Sequence, residues 1–226
     1  MIHKTFTPLL RDDHVLPKDL APKLLHRFSS KEGYEAQPNL IAALKALKHQ
    51  GSQRTFDRVV IGVVTNSDDR VPSILSSFGL NVSPLRYGTE ADSSTLKEDC
   101  DIDFHCMSYD VGVEKPDKEI FNSAELMLTQ IIAIQDGKPT TEAKTEIEAW
   151  RKVYVGDEYA KDVLGALNAG WNPVLLDIEE KSPDIHRLED TPPQNLDDLF
   201  KEHGTVRVRS IEHLTLWLTC EGRGPK

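Results

Sequence analysis

The sequence is poor in the features that mark membrane and secreted proteins. Its longest apolar run, Val59–Val64 with Gly62 inside it, is far shorter than the roughly 20 residues a bilayer-spanning helix needs. No basic segment followed by an apolar one stands at the N-terminus, which argues against a secretory signal. Cysteine is scarce: Cys100, Cys106 and Cys220 are the three in 226 residues, a usage that suits a reducing compartment. Cys100, His105 and Cys106 lack the paired spacing of a zinc site. Positive charge is also in deficit. Lys and Arg number 27 against 37 Asp and Glu, a net charge of -10, so neither nucleic acid nor membrane is expected as a partner. The expected location is cytoplasmic or nuclear.

What remains is ordinary globular material. The apolar fraction is 38% and the mean hydropathy -0.42. A chain of this length can bury one sizeable core with a small appendage. Residues 1–35 are polar, punctuated by Pro8, Pro17 and Pro22, and predict short helices around Asp19–Phe28. Residues 36–226 carry the pattern of the main domain. Pro38 opens a helix whose Leu40, Ile41, Leu44 and Leu47 share a face.

Arg58–Thr65 is apolar on both parities, which predicts a strand buried on both faces, as in a parallel sheet covered by helices. Thr65-Asn66-Ser67 follow, then a helix with Val71, Ile74, Leu75 and Phe78 that ends at Gly79. Phe104–Ser108 predicts a short strand. Pro116 stands at the first position of a helix bearing Ile120, Phe121, Ala124 and Leu128. Residues 130–151 are polar and predict a surface insertion with a partial helix. Lys152–Val155 and Asn172–Leu176 predict further strands, and residues 178–194 a loop. Thr205–Arg209 predicts an edge strand whose Arg207 and Arg209 face water. Ser210 caps a last helix with Leu214, Trp217 and Leu218. Alternating strands and helices imply a doubly wound α/β sheet.

Polar residues recur at the strand tips, where open α/β sheets bind ligands. Thr65 and Asn66 follow the first strand. Lys115 precedes a helix. Gly156 turns the third strand onto Asp157, with Asp162 five positions later. A hydroxyl and amides for a phosphoryl oxygen, a lysine to offset its charge, and acids for Mg²⁺ are the parts phosphoryl transfer needs. Each residue taken singly is as well explained by a turn, a surface lysine or a helix cap.

Together these stretches resemble the haloacid dehalogenase (HAD) superfamily of hydrolases. Thr65 matches its second motif, Lys115 in KPD followed by Ile120-Phe121 the third, and GDEYAKD, Gly156–Asp162, the fourth. With EGYEAQPN before the first long helix, the pattern is similar to the branch typified by haloacid dehalogenase-like hydrolase domain-containing protein 3. The resemblance spans about Tyr34–Leu218. It implies a HAD-like, Rossmann-like fold with a partial helical cap over residues 1–35. It also implies phosphatase chemistry on a small phosphorylated substrate, with Thr65 and Lys115 catalytic. Thr65, Asn66 and Lys115 would bind phosphate, and Asp157 and Asp162 would hold Mg²⁺.

One motif of the family has no match. Its nucleophile lies in Asp-x-Asp at the end of an early apolar strand. Asp101-Ile102-Asp103 lacks the preceding strand, Asp177 follows the fourth motif, and Arg11-Asp12-Asp13-His14 is polar. The resemblance therefore implies a chain that begins inside the cap, without the first core strand, with weakened Mg²⁺ affinity and little or no turnover. A non-catalytic HAD-fold binding protein is the alternative. A receiver-like protein would need an early acidic pair, which is not found.

Overall fold

The computed structural model describes residues 5, 7–10, 15–50, 55–91, 96 and 99–220. The segment Arg11–His14 lies outside them, as does the side chain of Cys220. Helix α1 (Leu20–Phe28) and a one-turn helix at Lys31–Gly33 precede α2 (Leu40–Lys48). The main domain then runs β1 (Gly62–Thr65), α3 (Val71–Ser77), β2 (Phe104–Met107), α4 (Ser108–Val111), α5 (Lys118–Gln135), α6 (Thr140–Glu148) and β3 (Val153–Gly156). A π-turn at Tyr159–Val163 leads into α7 (Leu164–Asn168). After it come β4 (Asn172–Leu176), β5 (His186–Arg187), α8 (Leu196–His203), β6 (Val206–Val208) and α9 (Ile211–Cys220).

All strand pairings are parallel, but they form two sheets rather than one. β1 pairs with β2, and a four-stranded sheet has the order β3-β4-β6-β5. This is the mixed α/β, Rossmann-like architecture that strand-helix alternation implies. The break falls between β1 and β3. Few Cα atoms of these two strands approach within 8 Å.

Three apolar clusters hold the layers. One joins Val64, Phe104 and Cys106 to Ile120, Phe121, Ala124, Met127 and Ile131 of α5, with Tyr154. A second packs Val174, Val206 and Val208 under α8 and α9. The third sits between α5 and α6, where Leu128, Ile132, Ala143 and Ile147 meet. Residues 130–151 contain the expected partial helix, α6, and Ala143 and Ile147 pack one face of this otherwise polar stretch on α5.

Two further expectations change. β6 lies inside its sheet, between β4 and β5, not at an edge. Arg207 accordingly is not in water: its guanidinium is nearly buried, donates to the Ile185 carbonyl at 2.9 Å and pairs with Asp177 at 3.3 Å. Arg209 remains about half exposed. The strand predicted over Arg58–Thr65 is also shorter. Its ladder starts at Gly62, because the Ile61 amide donates to the Asp103 carboxylate at 2.7 Å. An added Cβ at Gly62 would stand 2.2 Å from the Phe104 ring, which would have to shift to admit it.

Helix α9 packs on α2 across the far side of the domain. Asn39 donates to the Glu212 carboxylate at 3.0 Å, and Thr55 donates to the Thr219 carbonyl at 3.0 Å.

Candidate active site

The C-terminal tips of β1 and β3 converge on Lys115. Asp117 begins α5 by accepting the Glu119 amide in its own side chain, an N-cap, and Lys115 lies just before it. Asn66, the residue after β1, clamps Lys115 from both sides. Its side chain accepts the Lys115 amide at 2.7 Å and donates to the Lys115 carbonyl at 3.1 Å.

The ammonium of Lys115 is nearly buried. It donates to Asp162 Oδ1 at 2.6 Å and to the Tyr154 hydroxyl at 2.7 Å. Asp162 is buried too, and its other oxygen accepts the Glu158 amide at 2.9 Å. It reaches this place over Gly156, where an added Cβ would lie 2.3 Å from the Asp162 carboxyl. A glycine at the strand tip is therefore what lets the acid fold back against the strand.

In the sequence Tyr154 is simply the middle of a short strand, with no signal of a role at the site. Its hydroxyl donates to the Val64 carbonyl at 2.9 Å and lies 3.4 Å from Asp162 Oδ1. Burial, and then the Asp162 charge, push its phenol well above the ordinary tyrosine range. It stays a neutral donor. Phe121 fixes its ring edge-on at 5.1 Å.

The predicted residues divide in two. Asn66, Lys115 and Asp162 are joined by direct bonds. Thr65 ends β1 beside Asn66, and Asp157 is exposed beyond Gly156. Among the described residues neither Thr65 nor Asp157 bonds to Lys115 through its side chain. Asp157 is near enough for its charge to act on Tyr154.

The remaining acids are structurally committed. Asp103 accepts Lys48 Nζ at 2.7 Å and the Ile61 amide; Asp101 accepts the Asn81 amide at 2.7 Å and meets His49 at 2.9 Å. Asp177 accepts the amides of Lys181 and Ser182 and pairs with Arg207. Cys100 and Cys106 are buried, and burial pushes the Cys106 thiol up to about 12. Among the described residues no three His, Cys, Asp or Glu side chains come together in a way that could hold a metal ion.

Known proteins match this chain at the same place. Residues 113–201, from just before Lys115 to the end of α8, match the family model described as HAD-hydrolase-like. The chain belongs to the HAD-like superfamily. It is 30% identical to an uncharacterised hydrolase of Schizosaccharomyces pombe over 164 residues, covering 73% of this chain and 57% of the relative. It is 29% identical to an uncharacterised protein of Saccharomyces cerevisiae over 181 residues, covering 80% of this chain and 50% of the relative. The HAD-like chain thus spans little more than half the length of the curated relatives it matches. No described helix is long and apolar enough to cross a membrane.

Proposed function

We propose that residues 1–226 carry the phosphate-handling half of a HAD-like hydrolase of the phosphomonoesterase type, acting on a small phosphorylated substrate, and that this half alone is catalytically silent. The observation that carries the reading is the Lys115–Asp162–Tyr154 cluster at the strand tips. It offers a fixed cation and a hydroxyl donor beside the turn after β1, which suits charge stabilisation of a phosphoryl group. Thr65 and the amides around Asn66 would hold its oxygens, while the Asn66 side chain positions Lys115. The likeness to the domain-containing protein 3 branch fits this reading.

Mg²⁺ is the cofactor the resemblance implies, and the residues present do not complete a site for it. Asp162 is spent on Lys115, Tyr154 and the Glu158 amide. Asp157 is left as one exposed carboxylate. Mg²⁺ demands near-octahedral oxygen ligands and is held poorly by so few. Among the described residues a nucleophile is missing in the same sense: Asp101, Asp103 and Asp177 are tied into the fold by other partners.

Purified residues 1–226 should release little or no phosphate from para-nitrophenyl phosphate with Mg²⁺ present. Calorimetric titration should show no Mg²⁺ binding tighter than about millimolar. Robust Mg²⁺-dependent turnover would refute the reading.

A further inference from the structure

β5 is the outermost strand of its sheet and only two residues long. So short a ladder holds a strand weakly by itself, and side chains add to it. Arg207 of β6 donates to the Ile185 carbonyl at 2.9 Å. His186 of β5 stacks on His203, the last residue of α8, with ring centroids 3.7 Å apart and planes 1° from parallel. Both histidines are half-buried. Behind the stack, His186 Nε2 meets the Thr191 hydroxyl, and the Thr191 carbonyl accepts the Trp217 indole N–H of α9 at 3.1 Å. The segment held in this way leaves β4 at Asp177, on the sheet edge where β3 ends at Gly156.

Charge decides whether two imidazoles can lie face to face. Two neutral rings, or one neutral and one protonated, attract through dispersion and the cation–π effect. Two protonated rings at this separation repel, and only an opposing charge offsets that. The charges on the neighbouring elements are directed elsewhere. Arg187 pairs with Glu180 and Glu189, His213 with Glu189, and Arg207 with Asp177. Val206 lies opposite His186 in the ladder, and Thr191 is uncharged. Among the described residues the one carboxylate that pairs with either ring is Glu202, 3.7 Å from His203 and mostly exposed. Glu202 draws a first proton to His203. A second falls on His186, which has no such partner.

We infer that the His186–His203 stack is a proton-operated latch on β5: it is closed with one proton or none, and it opens when acid forces a second proton onto the pair, releasing residues 178–187 from α8. The sign follows from linkage. The open form takes two protons and the closed form one, so the closed form loses ground as pH falls below about 6.5, where a free imidazole titrates. Leu188 is buried and sets the far limit of the movement. The latch is independent of the phosphate-handling reading above.

The test uses purified residues 1–226. Nuclear magnetic resonance follows the His186 and His203 ring protons from about pH 8 to about pH 4.5. The pair should take its two protons in separate steps at least about one pH unit apart. His203→Phe keeps a stacking ring and removes its charge, and it should raise the pH at which His186 titrates by at least about one unit. His203→Gln serves the same end should the phenylalanine variant not fold. Hydrogen exchange over residues 185–188, measured against β4 and corrected for the intrinsic rate, should quicken at least about tenfold between about pH 7.5 and about pH 5. His203→Phe should abolish that change. The inference is overturned if both rings titrate at one shared midpoint, if the His203 variants leave the His186 step where it was, or if acid loosening of residues 185–188 is absent or persists in His203→Phe.

Discussion

Lys115 and Asp162 are 47 residues apart in the chain, and their side chains meet at 2.6 Å. The pair ties the start of α5 to the tip of β3, and through Tyr154 it also ties both to β1. Each partner is nearly buried, so each depends on the other for its charge to be tolerated.

Breaking that pair from one side should be costly. Lys115→Met leaves Asp162 buried without its cation, and about 3–5 kcal/mol of stability should be lost. The double variant Lys115→Met with Asp162→Leu should recover part of the loss, because no lone charge remains. Urea unfolding of the single and double variants measures both. Equal losses in the two would show that packing, not charge, is at stake.

Gly156→Ala should lower stability by about 1–3 kcal/mol, the usual cost of forcing a group into a filled space. The new methyl meets the Asp162 carboxyl. Removing that side chain altogether, as Asp162→Gly, takes away the atoms the methyl meets and should sharply reduce the cost of the glycine substitution. A double-mutant cycle reads this coupling directly.

His105 predicts a pH dependence. It is wholly buried, its Nδ1 is 3.1 Å from the Leu85 carbonyl, and its Nε2 has no partner among the described residues. Burial holds its pKa below the ordinary value of 6.5. The unfolded chain therefore binds a proton that the folded chain refuses as pH falls below 6.5, and stability declines over that window. His105→Leu should flatten stability between neutral pH and about pH 5, where thermal melts at stepped pH would reveal it.

Asp101 and Asp103 should prove structural. Asp103→Ala strands the nearly buried ammonium of Lys48 and the Ile61 amide, and should cost about 3–5 kcal/mol. Asp101 acts at acid pH. Burial raises its pKa, but the Asn81 amide and His49 outweigh that and hold it below 3.8. Its contribution is complete above that ordinary value and is lost as pH falls through the lower folded value. Asp101→Asn should remove that acid-limb dependence, as seen in acid titrations followed by circular dichroism.

The sequence was most informative where one segment decides the outcome. The strand-helix order and the glycine at Gly156 followed from local pattern. The helix expected to open at Pro116 begins two residues later, at Lys118, because the Asp117 side chain accepts the Glu119 amide and makes Asp117 the cap. The sequence was less informative where a distant partner decides. Arg207 alternates with valines like a residue facing water, yet Asp177, 30 residues earlier, draws it into the sheet. Val59–Val64 carries enough apolar character for burial on both faces, but Gly62 is exposed and Val63 is half-buried. Hydropathy reports what a strand can bury, not whether a neighbour is there. Tyr154 was invisible for the same reason: its three partners come from three other segments.

The packing of α9 against α2 has a consequence for biosynthesis. Asn39 waits for Glu212, 173 residues later, and Thr55 for Thr219, 164 later. A nascent chain emerging at about 5–20 residues per second exposes Leu47 of α2 for several seconds or more before α9 can cover it. Throughout that interval the growing polypeptide presents apolar helix surface to whatever attends the ribosome. Cover for α2 should therefore be complete only once residues 211–220 have cleared the exit tunnel.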